Sequence, residues 1–263
     1  MREIVVRSIS GILYVLVVVF SMYTSRELFM TLFLILGLQT LKEFKKLIHL
    51  KHFTPYLLLP ISLLLISYYY PGDIILYTYL GISLLVSILL AKDVQSTKNS
   101  LLLKKQKYIP TMLYIISGFV FLTLIPFSKG VFKPEIIVGV FVLIWCNDTF
   151  AYIIGKSLGK NKLLERVSPK KTIEGTLGGA IVTVLIMSVL NTYWLRLEEP
   201  MYLLTIVIIF FATFGDFVES YMKRKIGVKH SGKIMPGHGG VLDRLDSIYP
   251  SALPYLVIML LVL

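Results

Sequence analysis

The residues best suited to chemistry are concentrated between Ser220 and Asp246, in the segment SYMKRKIGVKHSGKIMPGHGGVLDRLD. This segment contains six Lys or Arg, two His, two Asp and five Gly, and it separates two apolar stretches. Lysine and arginine bind phosphate, glycine-rich turns can expose backbone amides to it, and carboxylates bind hard cations. The composition therefore predicts a site for phosphate and a metal beside a bilayer.

The end of this segment has the most specific spacing. His238 is followed by Gly239 and Gly240, which would form a turn able to expose backbone N–H groups to a phosphate. Asp243 and Asp246 follow at i and i+3 and would share one helical face. Carboxylates without a cysteine ligand suit magnesium, and the chain has no CxxC or HxxxH spacing for zinc. The pattern predicts a magnesium site next to a phosphate-binding turn.

Three further acids lie inside apolar stretches, where a charge is costly and often functional. Asp148 lies in WCNDTFAYIIGKSLGK, and Asp216 and Glu219 lie in FGDFVESYMKR. Asp216, Glu219 and Lys223 would share a helical face at i, i+3 and i+7. Two interpretations stay open: the acids hold a metal, or they pair with basic residues and hold helices together.

A second basic loop, SPKKT, covers residues 168–172 just before another apolar run. Ser168 precedes a proline that favours a turn and a helix start. Lys170, Lys171 and Thr172 would then lie at the N-terminus of the next helix, or just before it. Because helix starts attract anions, we expect this loop to bind phosphate.

Composition and apolar runs indicate an all-α polytopic membrane protein. The chain has 263 residues, of which 56% are hydrophobic and 16% charged, and its mean hydropathy is +0.78. One helix needs about 20 apolar residues to cross the hydrocarbon core, so the sequence predicts about nine transmembrane helices. The first is interpreted as a retained span, since no small-residue cleavage site follows it. The predicted spans cover 4–23, 28–48, 53–70, 74–91, 108–127, 135–155, 173–195, 200–222 and 247–263.

The basic residues predict the orientation of these spans. In this arrangement the N-terminus and the long polar loops share one side, and all but four of the 27 Lys and Arg lie there. Cytosolic loops are enriched in Lys and Arg, so this side is predicted to face the cytosol and the C-terminus the opposite side. We therefore expect a multi-pass protein of the cell membrane with a cytosolic active site. The exceptions are Arg26, Lys129, Lys133 and Arg196.

The positions of the motifs divide the chain into two parts. Residues 1–107, with about four spans, are predicted to be a transmembrane scaffold and a dimer surface. Residues 108–263 are predicted to be a transmembrane catalytic region, with cytosolic loops at 156–172 and 223–246.

Taken together, the motifs resemble the signature of the phosphatidate cytidylyltransferases, also called CDP-diacylglycerol synthases. That signature reads S-x-x-K-R-x4-K-D, a short spacer, and then H-G-G-x-x-D-R-x-D. The chain departs from it at His230, where the family usually has aspartate, and we expect this change to be tolerated. Two upstream segments, which begin at Asn147 and Ser168, also look like the family motifs N-D-x-x-A-Y (in part) and S-P-K-K-T-x-E-G. The residues in register with the main motif are Ser220, Lys223, Arg224, Lys229, His238, Gly239, Gly240, Asp243, Arg244 and Asp246.

The resemblance implies a magnesium-dependent transfer of a cytidylyl group from CTP to phosphatidic acid. The products would be CDP-diacylglycerol, for phospholipid biosynthesis, and pyrophosphate; a second cation fits the same pattern. The implied catalytic residues are Asp246, Asp243, Lys223, Arg224, Arg244 and His238. The implied residues for the phosphates of CTP or phosphatidate are Lys170, Lys171, Thr172, Ser168, Lys229, Gly239 and Gly240. The implied metal residues are Asp246, Asp243, Glu219, Asp216 and Asp148.

The implied partners are CTP, phosphatidic acid and membrane lipids, with no nucleic acid, and the enzyme is expected to be a homodimer. Two alternatives stay open. A CTP-dependent polyprenol or phytol kinase would share the cytosolic nucleotide site but would transfer the γ-phosphate. An ion-coupled transporter would instead place charges at mid-bilayer and break helices in matched halves of the chain.

Overall fold

The apolar runs fold into helices, which satisfy their backbone hydrogen bonds internally, as a lipid environment requires. A computed structural model of the chain describes residues 2–69, 72–95, 106–127, 131–196 and 201–262. The N-terminal helices are α1 (Arg2–Thr24), α2 (Arg26–Leu47), α3 (Thr54–Tyr69) and α4 (Asp73–Gln95). The next helical segment comprises α5 (Tyr108–Pro110), a π-helical turn (Thr111–Ile116), α6 (Ser117–Leu124) and a 3-10 turn (Ile125–Phe127). The remaining elements are α7 (Pro134–Leu158), β1 (Lys162–Leu164), β2 (Ser168–Thr172), α8 (Ile173–Leu190), a π-helical turn (Asn191–Leu195), α9 (Met201–Lys225), α10 (Leu242–Leu245) and α11 (Ile248–Val262).

Several of these helices have the dimensions of membrane spans. Within the described residues, five helical segments are long and apolar enough to cross a membrane, and two shorter apolar helices lie at Ser8–Thr24 and Thr54–Ser67. These features confirm a predominantly helical membrane protein. The segment 92–107, which separates the predicted spans 74–91 and 108–127, lies largely outside the described residues, and Lys129 lies outside them too. The five segments are Asp73–Val94, Tyr108–Phe127, Pro134–Leu158, Ile173–Leu195 and Met201–Lys225.

One element differs from the all-helical prediction. The basic loop after α7 contains a small antiparallel hairpin in which Lys162 pairs with Thr172 and Leu164 pairs with Ser168. Ser168 lies in β2, where the sequence favoured a turn, and α8 begins at Ile173, the start of the predicted span 173–195. A residue that precedes proline disfavours the helical region, so Ser168 takes an extended conformation instead.

Helices α7 and α8 pack closely through glycines. A Cβ atom on Gly175 would lie 2.8 Å from the Cα of Gly155, and one on Gly179 would lie 2.8 Å from the backbone nitrogen of Ala151. Small residues such as glycine and alanine allow two helix backbones to approach this closely. This contact fixes the hairpin, which lies between the two helices in the chain.

The core around α6 and α11 holds the C-terminal end of the motif segment in place. Tyr249 stacks on Phe119 at a centroid distance of 5.7 Å and meets Tyr114 edge-on at 5.3 Å. All three rings are buried. A Cβ on Gly118 would collide with the Tyr249 ring, at 2.8 Å. The packing sets the start of α11, and with it the position of Asp246 just before this helix.

The close contact of α7 and α8 predicts a specific effect of a methyl group. We expect Gly179→Ala to destabilise the protein by about 1–3 kcal/mol, because the new methyl overpacks the helix interface. The matched control is Gly81→Ala in α4, where an added Cβ meets nothing within 4 Å. Alanine favours a helix over glycine by about 1 kcal/mol, so this control should keep or raise the thermal midpoint. Thermal unfolding in detergent measures both, and equal midpoints for the two variants would contradict the proposed packing.

Candidate active site

Three carboxylates from two parts of the chain form a cluster. Oxygen atoms of Asp216, Glu219 and Asp246 all lie within 4.8 Å of one another. Asp216 and Glu219 share a face of α9, as their i, i+3 spacing predicts. Gly215 lets the Asp246 backbone approach this helix, since a Cβ there would collide with the Asp246 carbonyl. The cluster therefore depends on tight packing between α9 and the turn before α11.

Two lysines neutralise part of this negative charge. Lys171, from β2, forms an ion pair with Asp216, and Lys223 forms one with Glu219. Lys223 also donates a hydrogen bond of 2.7 Å to Oδ1 of Asp243. Burial alone would lower the pKa of Lys171, but the charge and hydrogen bond of Asp216 raise it above its usual value. Both interpretations of the buried acids thus have support, because they are paired with lysines and also cluster as metal ligands would.

Asp243 differs from Asp246 in its surroundings. Its Oδ2 accepts hydrogen bonds from the amides of Ser231 (3.0 Å) and Gly240 (2.8 Å). Burial alone would raise the pKa of Asp243, but hydrogen bonds with Glu219, Lys223 and the Gly240 amide lower it to about 2. Asp243 lies outside the cluster of three carboxylates and holds the loop together. By contrast, burial and the nearby Asp216 raise the pKa of Asp246 well above its usual value.

A large cavity opens on one side of the cluster. It has a volume of 530 Å³, and Asp216, Asp246 and Asp148 contribute to its acidic wall. Four lysines contribute to the rest, namely Lys156, Lys162, Lys170 and Lys171. The cavity thus brings the SPKKT loop and the acids of α7 and α9 together, as the sequence predicts. Lys156 and Lys162 were not predicted as site residues.

Hydrogen bonds hold the hairpin where β1 begins and where β2 ends, two points that lie side by side because Lys162 pairs with Thr172. Where β2 ends, the Thr172 hydroxyl accepts a bond of 3.1 Å from the Gly175 amide and caps α8. Where β1 begins, the Glu174 carboxylate accepts bonds from the amides of Lys160 (3.0 Å) and Asn161 (3.1 Å). Ser168 begins β2 and does not line the large cavity.

The glycine turn has a different role from the predicted one. The Gly239 amide donates to the Met235 carbonyl (3.0 Å), and the Gly240 amide donates to Asp243 (2.8 Å). Gly239 has a φ of +97°, a conformation that other residues rarely adopt. Both amides are therefore already used within the loop, so the turn shapes the site instead of exposing donors. Arg224 and Lys229 are exposed and do not line the large cavity.

A second cavity, of 250 Å³, shares Asp148, Asp243 and Asp246 with the large one. His238 and Arg244 line it, together with Tyr14 from α1. The His238 ring nitrogen Nδ1 lies 2.8 Å from the Ser10 hydroxyl. Arg244 donates a hydrogen bond of 3.0 Å to the His238 carbonyl. The first helix therefore contacts the motif segment directly.

Glu43 of α2 anchors the same loop and was not predicted. It is only 4% exposed. One carboxylate oxygen accepts bonds from the Ser231 hydroxyl (2.8 Å) and the Leu242 amide (2.9 Å). The other accepts bonds from the Val241 amide (3.2 Å) and the Gln39 side chain (2.8 Å). Glu43 thus satisfies the free amides at the start of α10, the short helix that carries Asp243.

Comparisons with known proteins agree with this geometry. A sequence model of the cytidylyltransferase family matches residues 5–263. The chain belongs to this family. Similar curated proteins are the phosphatidate cytidylyltransferases of Staphylococcus epidermidis (46% identical over 128 residues) and Staphylococcus aureus (44% over 124 residues). In each case the match covers 46% of this chain and 47% of the relative, so the chain spans about half the length of the curated relatives it matches.

Membership in this family draws attention to His230, the position at which the chain departs from the expected motif. Its Nδ1 lies 3.8 Å from Oδ2 of Asp243, and its side chain is 46% exposed. His230 therefore borders the loop that Asp243 holds, outside the group formed by Asp216, Glu219 and Asp246. This position is consistent with the expectation that the change is tolerated, which stays a prediction.

The anchoring by Glu43 predicts the effect of a conservative change. Glu43→Gln replaces one oxygen, which faces two hydrogen-bond donors, with an NH2 group that is itself a donor. We expect the free energy of unfolding to fall by about 1.5–3 kcal/mol, the range for hydrogen bonds to a charged group. The thermal midpoint should fall, and trypsin should cleave faster after the exposed Lys233.

The matched control is Glu27→Gln, an exposed acid in the first turn of the same helix. We expect this variant to keep the wild-type midpoint and cleavage rate. Equal behaviour of the two variants would show that Glu43 does not anchor the loop.

Proposed function

We propose that this chain transfers the cytidylyl group of CTP to phosphatidic acid and releases pyrophosphate. The observation that carries the proposal is the cluster of three carboxylates at the edge of a lysine-lined cavity, in a chain of the cytidylyltransferase family. Two charged phosphate groups must meet for this reaction, and both cationic and metal-binding groups are present to hold them. The names of the Staphylococcus relatives support the choice of phosphatidic acid as acceptor.

The cluster of carboxylates fits a magnesium ion. Hard cations prefer oxygen ligands, and Asp216, Glu219 and Asp246 offer three that converge. Glu219 is buried beside Asp246 and Asp243, so a cation there would relieve the repulsion between these carboxylates. When bound, magnesium would neutralise charge on the phosphates. Asp148 lines both cavities beside Asp246 and would offer an oxygen ligand for a second cation.

The residues of the large cavity suggest how CTP binds. Lys156, Lys162, Lys170 and Lys171 offset the negative charge of a triphosphate. An acceptor phosphate oxygen would attack the α-phosphorus, a new P–O bond would form, and the bond to the β-phosphate would break. The acceptor oxygen is already charged, so no strong general base is needed. Catalysis then depends on positioning and on electrostatic stabilisation.

We also propose the complete arrangement in the membrane: about nine transmembrane helices, with the active site facing the cytosol. Among the described residues, helices lie in each of the predicted spans, and the site lies among the basic loops. Residues 108–263 would form the catalytic region, with cytosolic loops at 156–172 and 223–246. Residues 1–107 would form a scaffold that anchors the site through Glu43 and pairs with a second copy in a homodimer.

The direct test of function is a radiolabelled CTP assay with phosphatidic acid and magnesium, with all products identified. We expect CDP-diacylglycerol and pyrophosphate from the wild type. Asp246→Asn should abolish turnover, because the cluster loses a charged ligand, and should leave the protein folded. The control Asp73→Asn, at an exposed position in the first turn of α4, should stay active. CDP with a phosphorylated lipid would instead indicate a kinase, and normal turnover by Asp246→Asn would contradict the metal role.

The proposed orientation predicts labelling from one side only. In a Cys146→Ser background, which removes the single native cysteine, we introduce cysteine at the exposed positions Lys160 or Arg196. A membrane-impermeant maleimide should label position 196 in intact cells and position 160 only after permeabilisation. The reverse pattern would show that the hairpin side of the protein faces away from the cytosol.

A further inference from the structure

The second cavity, beside Tyr14, is a distinct chamber next to the same acids. It lies between α1, α7 and the segment around α10, and it shares Asp148, Asp243 and Asp246 with the lysine-lined cavity. Its other walls differ, because Tyr14, His238 and Arg244 occur only on this side. The two chambers therefore meet along one wall of acids.

Two polar groups of this chamber have no partner within the described part of the chain. The Tyr14 hydroxyl and the Nε of Arg244 are both buried, and neither makes a hydrogen bond there. A buried donor without a partner is unfavourable, so such groups are expected to be satisfied by a ligand or by water. A guanidinium and a phenol hydroxyl together are well suited to phosphate oxygens.

Size and charge indicate which phosphate fits each chamber. The lysine-lined cavity, at 530 Å³ and with four lysines, matches a nucleoside triphosphate. The chamber beside Tyr14 measures 250 Å³, below the roughly 300–1,000 Å³ typical of pockets for whole drug-sized ligands. Arg244 also lines this chamber, so its size and charge match a single phosphate monoester. The apolar side chains of Val15, Ile144 and Trp145 on its wall suit the lipid that carries this phosphate.

We propose that this chamber is the subsite for the phosphate monoester of the lipid acceptor, and that the Tyr14 hydroxyl donates a hydrogen bond to it. The proposal rests on the proposed function. The acceptor oxygen in this chamber faces the α-phosphorus across the shared wall of Asp246. It forms the new P–O bond there, and pyrophosphate leaves with the electron pair of the broken bond into the lysine-lined cavity. Attack and departure on opposite sides of phosphorus are what an in-line displacement requires.

The test is Tyr14→Phe in the full-length chain, which removes one oxygen and keeps the ring. We expect the KM for phosphatidate to rise about tenfold, while the KM for CTP and the thermal midpoint stay at their wild-type values. The matched control is Tyr202→Phe, an exposed tyrosine in the first turn of α9 that should leave all three quantities unchanged. An unchanged KM for phosphatidate, or a rise in the KM for CTP instead, would overturn the proposal.

A binding measurement separates this subsite from the reaction itself. Dihexanoyl phosphatidate, titrated without CTP, should raise the thermal midpoint of the wild type, and Tyr14→Phe should need about tenfold more lipid for the same rise. Equal titrations for the two proteins would overturn the subsite. A Tyr14-dependent titration in a protein that makes no CDP-diacylglycerol would support the subsite and contradict only the proposed function.

Discussion

The arrangement of the site is governed by the repulsion between carboxylates that lie close together. Asp216, Glu219 and Asp246 converge within 4.8 Å of one another, and Glu219 and Asp246 are buried. Such a cluster is unfavourable unless cations balance it, because each carboxylate disfavours ionisation of the others. Lys171 and Lys223 supply part of that balance from β2 and α9. The hairpin, the helix crossing and the glycine contacts are all needed to bring these five side chains together.

The same electrostatic balance connects the resting protein to the proposed reaction. Lys171 pairs with Asp216 and also lines the lysine-lined cavity, so one side chain serves both the acids and a phosphate. A cation held by the carboxylates would take over the neutralisation of Asp216. Lys171 would then be released for a phosphate of CTP. In the proposed function, metal and nucleotide therefore favour each other's binding, because each relieves a charge that the other leaves uncompensated.

The site residues that could be predicted from the sequence were predictable for one physical reason. A charge in an apolar helix is costly, so Asp148, Asp216 and Glu219 could be recognised without any knowledge of the fold. Glu43 and Tyr14 could not, because their roles come from contacts with residues far along the chain. Glu43, for example, bonds to Leu242, 199 positions away. Its neighbours in sequence are lysines and apolar residues, a pattern equally typical of a basic loop that only sets topology.

Asp243 and Asp246 show why spacing alone does not assign a role. Their i, i+3 positions suggest two equivalent metal ligands, but the short helix α10 turns them toward different partners. Asp243 accepts bonds from Lys223 and two backbone amides, and its low pKa of about 2 follows from that saturation. Asp246 accepts a bond of 3.3 Å from the neighbouring Ser247 hydroxyl, and burial, together with the nearby Asp216, raises its pKa. In the proposed function Asp246 therefore favours a cation, whereas Asp243 also holds the loop, and only the folded chain distinguishes their surroundings.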